Sequence, residues 1–456
     1  MADDIFKTLA SHIVRTSYDN IPAIYLKTTK MNILDSIGTM IAGFCAAGCQ
    51  PIVELVKEWG GKPESTVMMY GGKLPAHSAA LANAVMARAL DFDDAEENGM
   101  HPSAALMPVA FAVAESLGGV SGKAFLTAVT LGADVAGRIN FATLDYHGFD
   151  PTLTCIIFGT TTVAGKLLGL NEEQMWSALG LAFNECSGTF QSNIDGVLSV
   201  RLNQGLAACE GIMCAQFAKR GITGVRNIEQ GVYGYFHLYS NDKADRELLT
   251  KDLGDFYYGA KTIFKRWPSC GATLTASDIM VELVEEGLNP EDVEDISVTV
   301  GQFTYNLVGH PFKVGPNPPV DAQFSLQYTV ANALLQKTPK LIHFTNEYIL
   351  DDEVQNLIKK VNIILDPMIS VAGKDYLKTT IDVNLTNGKK LSRTELVFKG
   401  YPDNPIFMDD VVMKYRDNIS FPPKRLPSEK TERIIGLVNA LESVENTNEF
   451  IPLIQF

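Results

Sequence analysis

Residues 79–119 of the chain read AALANAVMARALDFDDAEENGMHPSAALMPVAFAVAESLGG. Two alanine-rich stretches in this segment, residues 79–90 and 104–117, carry apolar side chains at three- and four-residue spacing, which is typical of packed α-helices. Between them lies an acidic segment that ends in His101-Pro102. The segment therefore predicts two packed helices joined by a polar loop, and it indicates a helical fold for the surrounding chain.

The same helical pattern recurs as far as Arg220. Small residues are so frequent in it that we expect the helices to pack closely, and glycines after several patterns, such as Gly118-Gly119, act as stop signals. The sequence here shows neither βαβ alternation nor a glycine-rich dinucleotide loop. The further helix patterns cover residues 122–138, 160–168, 172–183 and 205–220.

The pattern changes after Lys265. Residues 293–300 alternate polar and apolar side chains as a strand does, and the runs 379–385 and 391–398 are joined through Asn387-Gly388, a strong hairpin signal. Helix patterns accompany these strands at residues 272–286, 324–335 and 352–360, and a last one covers residues 428–445.

A chain of 456 residues exceeds one ordinary core, so two domains are expected. We predict a mainly α fold with a large all-helical domain and a smaller α+β domain. The helical domain is expected over residues 1–265, with residues 403–456 returning to it, and the α+β domain over residues 266–402.

Composition and charge limit the class of partner. A hydrophobic content of 46% with 20% charged residues describes a folded protein, and a net charge of -15 argues against nucleic acid as a partner. A few local cations still allow an anionic substrate. The acidic start Met1-Ala2-Asp3-Asp4 shows no apolar signal segment, and polar residues interrupt the apolar run 31–47. We therefore expect a cytoplasmic protein without membrane spans.

The seven cysteines form neither a disulfide framework nor a paired zinc pattern. Most of them lie in apolar helix patterns, where small buried thiols are ordinary packing residues. Cys270 is the exception, because it follows Lys265-Arg266-Trp267-Pro268-Ser269, where nearby positive charge lowers a thiol pKa.

The acidic segment allows two readings. Clustered carboxylates raise one another's pKa, and an imidazole within reach carries protons near neutral pH, which makes Asp93 and His101 candidates for proton transfer. Alternatively, Asp91, Asp93 and Asp94 only cap a helix end, and His101 is a surface loop residue. Residue types alone leave both readings open.

Residues 90–115 resemble the signature of the MmgE/PrpD family, and the resemblance extends over most of the chain. Members of this family include 2-methylcitrate dehydratase, cis-aconitate decarboxylase and iminodisuccinate epimerase. The resemblance implies a helical domain joined to a smaller α+β domain, an active site in the cleft between them, and a homodimer.

The family pattern is only partly preserved. The Asp and His-Pro elements are present as Asp93 and His101, and the Lys-x-Trp-Pro element is present at Lys265. Where the family has a histidine in Gly-Phe-His, this chain has Asp150, and the usual lysine falls on Val200. These departures put aconitate-type chemistry in doubt and give weight to epimerisation or isomerisation.

The resemblance, read together with the residue chemistry, gives a list of candidate site residues. No histidine spacing resembles HExxH, so we expect neither a catalytic metal nor a cofactor. For Ser325, a helix N-cap role is the simpler account. The catalytic candidates are His101, Asp93, Lys265, Tyr146, His147 and Asp150, and the substrate-binding candidates are Arg201, Asn203, Gln191, Cys270 and Ser325.

The sequence thus predicts a metal-independent lyase or isomerase that abstracts a proton next to a carboxylate or carbonyl of a small di- or tricarboxylic acid. Two alternatives stay open. The altered site could belong to a paralogue that binds a ligand without turnover, or to an enzyme that acts on a neutral ketone.

Overall fold

The computed structural model describes residues 4–369 and 376–456. The chain forms two compact units, which we call the helical unit (residues 1–263 and 407–456) and the mixed unit (residues 264–406). Residues 1–3 of the acidic start and residues 370–375 lie outside the described residues. The prediction of a mainly α fold with a smaller α+β part is confirmed.

The first part of the helical unit contains a helix at each predicted pattern, together with further helices that were not predicted. It also contains a ladder of two two-residue strands, β1 (Ser65–Thr66) and β2 (Lys73–Leu74), so this unit is not entirely helical. Its helices are α1 (Ile5–Arg15), α2 (Ala23–Gly43), α3 (Cys49–Trp59), α4 (Ala76–Arg88), α5 (Ser103–Ser116), α6 (Gly122–Ala142), α7 (Ile157–Leu167), α8 (Glu172–Asn184), α9 (Gln191–Ile194), α10 (Ser199–Lys219) and α11 (Tyr235–Ser240).

Helices α6 and α7 pack at a pair of glycines. A Cβ atom on Gly132 would lie 2.4 Å from Val163 Cγ2 and 2.9 Å from the carbonyl oxygen of Gly159. A Cβ atom on Gly159 would lie 2.6 Å from the carbonyl oxygen of Gly132. The two backbones are therefore in contact, as the abundance of small residues predicted, and any larger side chain would push the helices apart.

The mixed unit contains one four-stranded sheet in the order β4-β3-β5-β6. Strand β3 pairs in parallel with β4, and β5 is antiparallel to both β3 and β6. Its elements are α12 (Gly271–Glu285), β3 (Val293–Val300), α13 (Gln302–Val308), α14 (Pro318–Gln323), α15 (Leu326–Gln336), α16 (Asn346–Ile349), α17 (Asp352–Ile358), β4 (Val361–Leu365), β5 (Thr379–Leu385) and β6 (Lys390–Glu395).

The predicted hairpin is confirmed as β5 and β6. Gly388 has φ 82°, the left-handed conformation that the Asn-Gly pair indicated, and its amide donates to Leu385 O at 2.8 Å. Strand β6 ends at Glu395 instead of residue 398. The chain bends there, and the amide of Lys399 donates to Asp278 at 2.6 Å instead of continuing the ladder.

The last segment of the chain belongs to the helical unit. It forms α18 (Met408–Ser420) and α19 (Ser428–Asn439), so the pattern over residues 428–445 gives a shorter helix followed by a 3₁₀ turn. The amide of Gly122 donates to the carbonyl of Val444 at 2.8 Å, which joins the start of α6 to this segment.

Arg138 in α6 is a buried polar anchor of the helical unit. It is 0% exposed, and its Nε donates to Asp134 at 2.8 Å. Its other nitrogens donate to the carbonyls of Leu248, Lys251 and Phe256 at 3.1, 2.8 and 2.7 Å. One guanidinium therefore holds the irregular segment after α11 against α6.

Two simple properties complete the description. Among residues 4–369 and 376–456, none of the helices combines the length and apolar character needed to span a bilayer. All seven cysteines are free thiols, which agrees with the absence of a disulfide pattern in the sequence.

We expect Arg138→Met to lower the free energy of unfolding by about 3–5 kcal/mol, because it leaves the buried Asp134 carboxylate without its cation. Urea unfolding followed by circular dichroism measures this change. As a control, Arg433→Met removes an exposed ion pair with Glu449, in which the arginine side chain is 60% exposed. The control should cost about 1 kcal/mol or less; equal losses in both variants would contradict the anchoring role of Arg138.

Candidate active site

The acidic loop between α4 and α5 is organised around Arg88, the last residue of α4. Its NH1 donates to Asp91 Oδ1 at 2.5 Å and lies 3.4 Å from Asp93 Oδ1. Burial opposes the charged guanidinium, but Asp93 and Asp91 outweigh burial and raise the pKa of Arg88. Asp91 has φ 50°, a left-handed conformation that aspartate tolerates better than most residues. Asp91 thus both turns the backbone at the end of α4 and accepts a hydrogen bond from Arg88.

His101 lies against this cluster in one tautomer. Arg88 NH2 is 3.4 Å from His101 Nε2, and an arginine can only donate, so Nε2 is the acceptor. His101 Nδ1 donates to the carbonyl of Asp94 at 2.8 Å and lies 3.3 Å from Asp93 Oδ2. The lone pair available for taking up a proton is therefore on Nε2, and Asp93 lies where it would stabilise the imidazolium.

Asp94 fixes the end of the loop. Its Oδ1 accepts from the amide of Ser103 at 3.1 Å, and its Oδ2 accepts from Ser103 Oγ at 2.6 Å and from Asn32 Nδ2 at 2.9 Å. Asp94 therefore caps the start of α5 and ties it to α2. Burial raises the pKa of Asp94 to about 7, against the lowering effect of the hydrogen bond from Ser103.

A buried lysine from α18 supports the same loop. Lys414 Nζ lies 2.7 Å from Asp35 Oδ1 and donates to the carbonyl of Phe92 at 2.6 Å. Burial lowers the pKa of Lys414, and Asp35 opposes this effect. The acidic loop is thus held by α2 and α18 as well as by the two helices that it joins.

Helix α10 begins at Ser199, earlier than the predicted residue 205, and this places several candidates on its first turns. Asn203 Nδ2 donates to Asp150 Oδ2 at 3.1 Å, and Gln204 Nε2 donates to the carbonyl of His101. Arg201 NH1 donates to the carbonyl of Ala47 at 2.6 Å, and burial lowers the pKa of Arg201. The start of α10 therefore connects Asp150 with the loop that carries His101.

The two candidates before Asp150 differ in environment. Tyr146 OH lies within hydrogen-bonding distance of Asn140 Oδ1 and 3.4 Å from Cys155 Sγ, and burial raises the pKa of Tyr146 well above its ordinary value. The hydroxyl of Tyr146 is thus a hydrogen-bond donor to Asn140. His147 lies at an exposed turn with φ 47°.

Gln191 lies on the short helix α9. Its side chain is exposed, and its Nε2 donates to Asp195 at 2.7 Å. The structure thus brings together Asp93, His101, Asp150 and Asn203 through direct bonds or through α10, whereas Gln191 bonds to a neighbour on its own turn.

In the mixed unit, Lys265 is 2% exposed. The preceding residue, Phe264, donates its amide to the carbonyl of Gly400 at 2.9 Å. Gly400 has φ 111°, and a Cβ atom there would lie 2.1 Å from the carbonyl oxygen of Phe264, so only glycine fits. This contact fixes the backbone just before Lys265.

Asp278 in α12 holds the residues that follow Lys265. Its Oδ1 accepts from Trp267 Nε1 at 2.7 Å and from Arg266 NH1 at 3.1 Å. Burial raises the pKa of Asp278, and Arg266 opposes this shift. The Lys-x-Trp-Pro segment is therefore rigidly bound to α12.

The remaining two candidates lie at helix starts in the mixed unit. Cys270 precedes α12, is buried, and donates its amide to the carbonyl of Gln323 at 3.0 Å. Ser325 Oγ accepts from the amide of Tyr328 at 3.2 Å and caps α15, which confirms its expected N-cap role.

One group of side chains in the described part of the chain has the composition of a metal site. Ligand atoms of Asp91, Asp93 and His101 lie within 4.8 Å of one another. Arg88 already contacts all three residues with its guanidinium. A divalent cation at this position would face that positive charge, so the group fits an arginine-bridged cluster better than a metal centre.

Sequence reasoning missed three residues of this region. Arg88 could have been recognised from its three-residue spacing to Asp91 at a helix end. Gln204 and Lys414 gave no signal, because their partners, His101 and Asp35, are distant in sequence.

Comparisons with known proteins identify the family of the chain. The model of the MmgE/PrpD N-terminal domain matches residues 7–247, and that of the MmgE/PrpD C-terminal domain matches residues 267–443. Cis-aconitate decarboxylase from Mus musculus is 26% identical over 446 residues, which cover 94% of this chain and 89% of that protein. The Homo sapiens protein of the same name is 25% identical over 469 residues, which cover 100% of this chain and 95% of that protein. A probable 2-methylcitrate dehydratase from Saccharomyces cerevisiae is 23% identical over 431 residues, covering 88% and 81%.

The raised pKa of Asp94 makes stability depend on pH. The pKa of Asp94 is about 7 in the folded protein and near 3.9 in the unfolded chain, so between these pH values the folded protein binds one more proton than the unfolded chain. The stabilisation that comes from this protonation is complete below about pH 4 and is lost as pH rises through 7.

We therefore expect the unfolding free energy of the wild type, relative to Asp94→Asn, to fall between about pH 5 and pH 7, by at most about 1.4 kcal/mol per pH unit. Urea unfolding at several pH values measures this slope. Asp19→Asn, at an exposed position, should follow the wild type. A difference between wild type and Asp94→Asn that does not change with pH would contradict the prediction.

Proposed function

Since the chain belongs to the MmgE/PrpD family, we propose that it is a metal-independent lyase or isomerase acting on a small di- or tricarboxylic acid. The reaction begins with abstraction of a proton next to a carboxylate or carbonyl group. The observation that carries this proposal is His101, whose Nε2 accepts while its Nδ1 donates to the carbonyl of Asp94. The names of the relatives, decarboxylases and a dehydratase, support the same class of substrate.

In the proposed mechanism, His101 takes the substrate proton on Nε2. The resulting imidazolium is stabilised by Asp93, whose Oδ2 lies 3.3 Å from Nδ1. The contact between Arg88 NH2 and His101 Nε2 must break when the proton arrives. The positive charge of Arg88 then favours return of that proton to the substrate or to solvent. His101 thus serves as a shuttle rather than as a permanent acceptor.

The electrons left by the proton form an enolate or enol, which requires a cation or hydrogen-bond donor. We assign this role to Lys265 on the strength of the Lys-x-Trp-Pro pattern, and we assign Arg201 to a substrate carboxylate. Both assignments follow from the sequence, and each is tested by substitution to methionine. Loss of turnover with binding preserved is expected for Lys265, and weaker binding for Arg201.

Such an enolate has two outcomes. Loss of a β-hydroxyl as water gives dehydration, and return of the proton to the opposite face gives epimerisation. In decarboxylation, the enolate forms when the bond to a carboxylate breaks in place of a C–H bond; carbon dioxide leaves, and a proton from His101 is then added to the carbon. Tyr146 is the acid that we propose for protonating a leaving hydroxyl; its phenol keeps its proton and must turn that proton from Asn140 Oδ1 towards the substrate. The relatives' names favour loss of water or carbon dioxide, whereas Asp150 and Val200, in place of a cationic pair, favour epimerisation.

A second candidate function is binding without turnover. It is favoured by the same two departures, because Asp150 is buried and bonded to Asn203 instead of supplying a histidine. The third possibility, a neutral ketone substrate, would leave Arg201 and Lys265 less important than His101. We also propose that the protein is a homodimer, as the resemblance implies, and that it is cytoplasmic, as its sequence predicts.

We expect the protein in D2O to exchange a C–H proton of at least one acid among citrate, 2-methylcitrate, cis-aconitate, malate and aspartate derivatives, or to convert it to product. His101→Ala should reduce the rate by about 10²–10⁴-fold, because general acid–base groups contribute this much. Proton NMR measures both events. His237→Ala is the control, because His237 is an exposed residue paired with Asp242. A folded protein that binds acids but shows neither exchange nor product would establish the binding-only alternative.

A further inference from the structure

The first turns of α10 present one polar atom that the proposed mechanism does not use. Gln204 Nε2 donates to the carbonyl oxygen of His101. Because a carbonyl oxygen only accepts, the side-chain amide of Gln204 must have its NH2 group towards the carbonyl of His101, with the oxygen Oε1 as the remaining polar atom of the amide. Gln204 thereby places an acceptor on the side chain that binds the backbone of His101, the residue that we propose takes the substrate proton.

This acceptor is buried and unsatisfied. Gln204 is 1% exposed, and its Oε1 accepts a hydrogen bond from no residue in the part of the chain that the structure describes. A buried carbonyl oxygen that has lost water without gaining a partner is unfavourable and uncommon in folded proteins. Such an atom beside a candidate catalytic residue calls for a donor from outside the protein.

The charged groups nearby favour the same kind of ligand. The negative charge of the buried Asp150 carboxylate helps to raise the pKa of Arg88, and Asn203 Nδ2 donates a hydrogen bond to that carboxylate. Arg88 directs NH1 at Asp91 and NH2 at His101. Because these donors already bind acceptors of the protein, a ligand on this side of the site would meet acceptors more readily than donors. At Oε1 itself, a ligand carboxylate has no proton to donate, whereas a hydroxyl or amino group has one.

We propose that Gln204 is a specificity-determining residue whose Oε1 accepts a hydrogen bond from a hydroxyl or amino group of the substrate. The proposal rests on the proposed function and narrows its substrate class. The substrate is a hydroxy- or amino-bearing di- or tricarboxylic acid, rather than an acid that carries only carboxylates. An acid without the donor leaves Oε1 buried and unpaired, and sites of this kind reject analogues that lack the matching group.

Matched pairs of acids test the proposal by binding, without requiring turnover. Citrate is compared with propane-1,2,3-tricarboxylate, which lacks only the hydroxyl, and malate and aspartate are each compared with succinate. Isothermal titration of the full chain measures each affinity. We expect the donor-bearing acid of at least one pair to bind about tenfold more tightly than its partner. The malate and aspartate arms distinguish a hydroxyl from an amino donor.

Three variants separate specificity from a structural role. Gln204→Leu removes both ends of the amide and should bring the affinity ratio close to one. Gln204→Glu keeps an acceptor but loses the donor to the His101 carbonyl, so it should retain the preference even where overall affinity falls. Gln216→Leu, on the same helix and partly exposed, should retain the wild-type ratio.

The outcomes distinguish this inference from the proposed function. Binding of the acids with a ratio near one in the wild type, or a ratio that Gln204→Leu leaves unchanged, would overturn the role of Gln204 alone. Equal loss of the preference in Gln204→Leu and Gln204→Glu would show that Gln204 acts only through His101, which also overturns it. If no acid of the panel bound at all, the proposed function would fail together with the inference.

Discussion

The buried carboxylate of Asp94 is the constraint on which the candidate site depends. The carboxylate accepts from the amide of Ser103, which caps α5, and from Asn32 of α2. The backbone carbonyl of the same residue accepts a hydrogen bond from Nδ1 of His101. One residue therefore fixes where a helix begins, how that helix meets its neighbour, and which nitrogen of the imidazole is available. The imidazole of His101 is oriented by a bond to the backbone of the residue that caps α5, so its geometry does not depend on a flexible acceptor side chain.

Burial gives this region its electrostatic character. Arg88, Asp91, Asp93 and Asp94 are all less than a tenth exposed, and charges at such depth interact strongly because water does not screen them. Burial also raises the pKa of the neighbouring Glu96 well above its ordinary value. The cluster thus combines a cation bound by two carboxylates with two acids, Asp94 and Glu96, whose pKa values are raised by burial. Such pairs of groups with separated pKa values are what acid–base chemistry requires.

Local patterns predicted much of the fold, and long-range contacts limited the rest. The Asn387-Gly388 turn and the helical spacing depend on near neighbours, so β5, β6 and most helices could be located from sequence. Helix α10 was predicted to start too late, because Asn203-Gln204-Gly205 resembles a turn while its side chains are in fact held by Asp150 and His101. In the site, Asp93 and His101 are close in sequence and were identifiable. Lys414 was not, because its partners Asp35 and Phe92 are more than three hundred residues away.

The discontinuity of the helical unit has a consequence for the order of folding during synthesis. The buried Asp35 carboxylate pairs with Lys414, and the amide at the start of α6 donates to the carbonyl of Val444. A ribosome must therefore translate the whole mixed unit before either contact can form. A nascent chain that has emerged only as far as α11 holds all the residues of the His101 cluster, but it lacks the contacts from Lys414 to Asp35 and to the carbonyl of Phe92. These two supports of the acidic loop are added when translation is nearly finished.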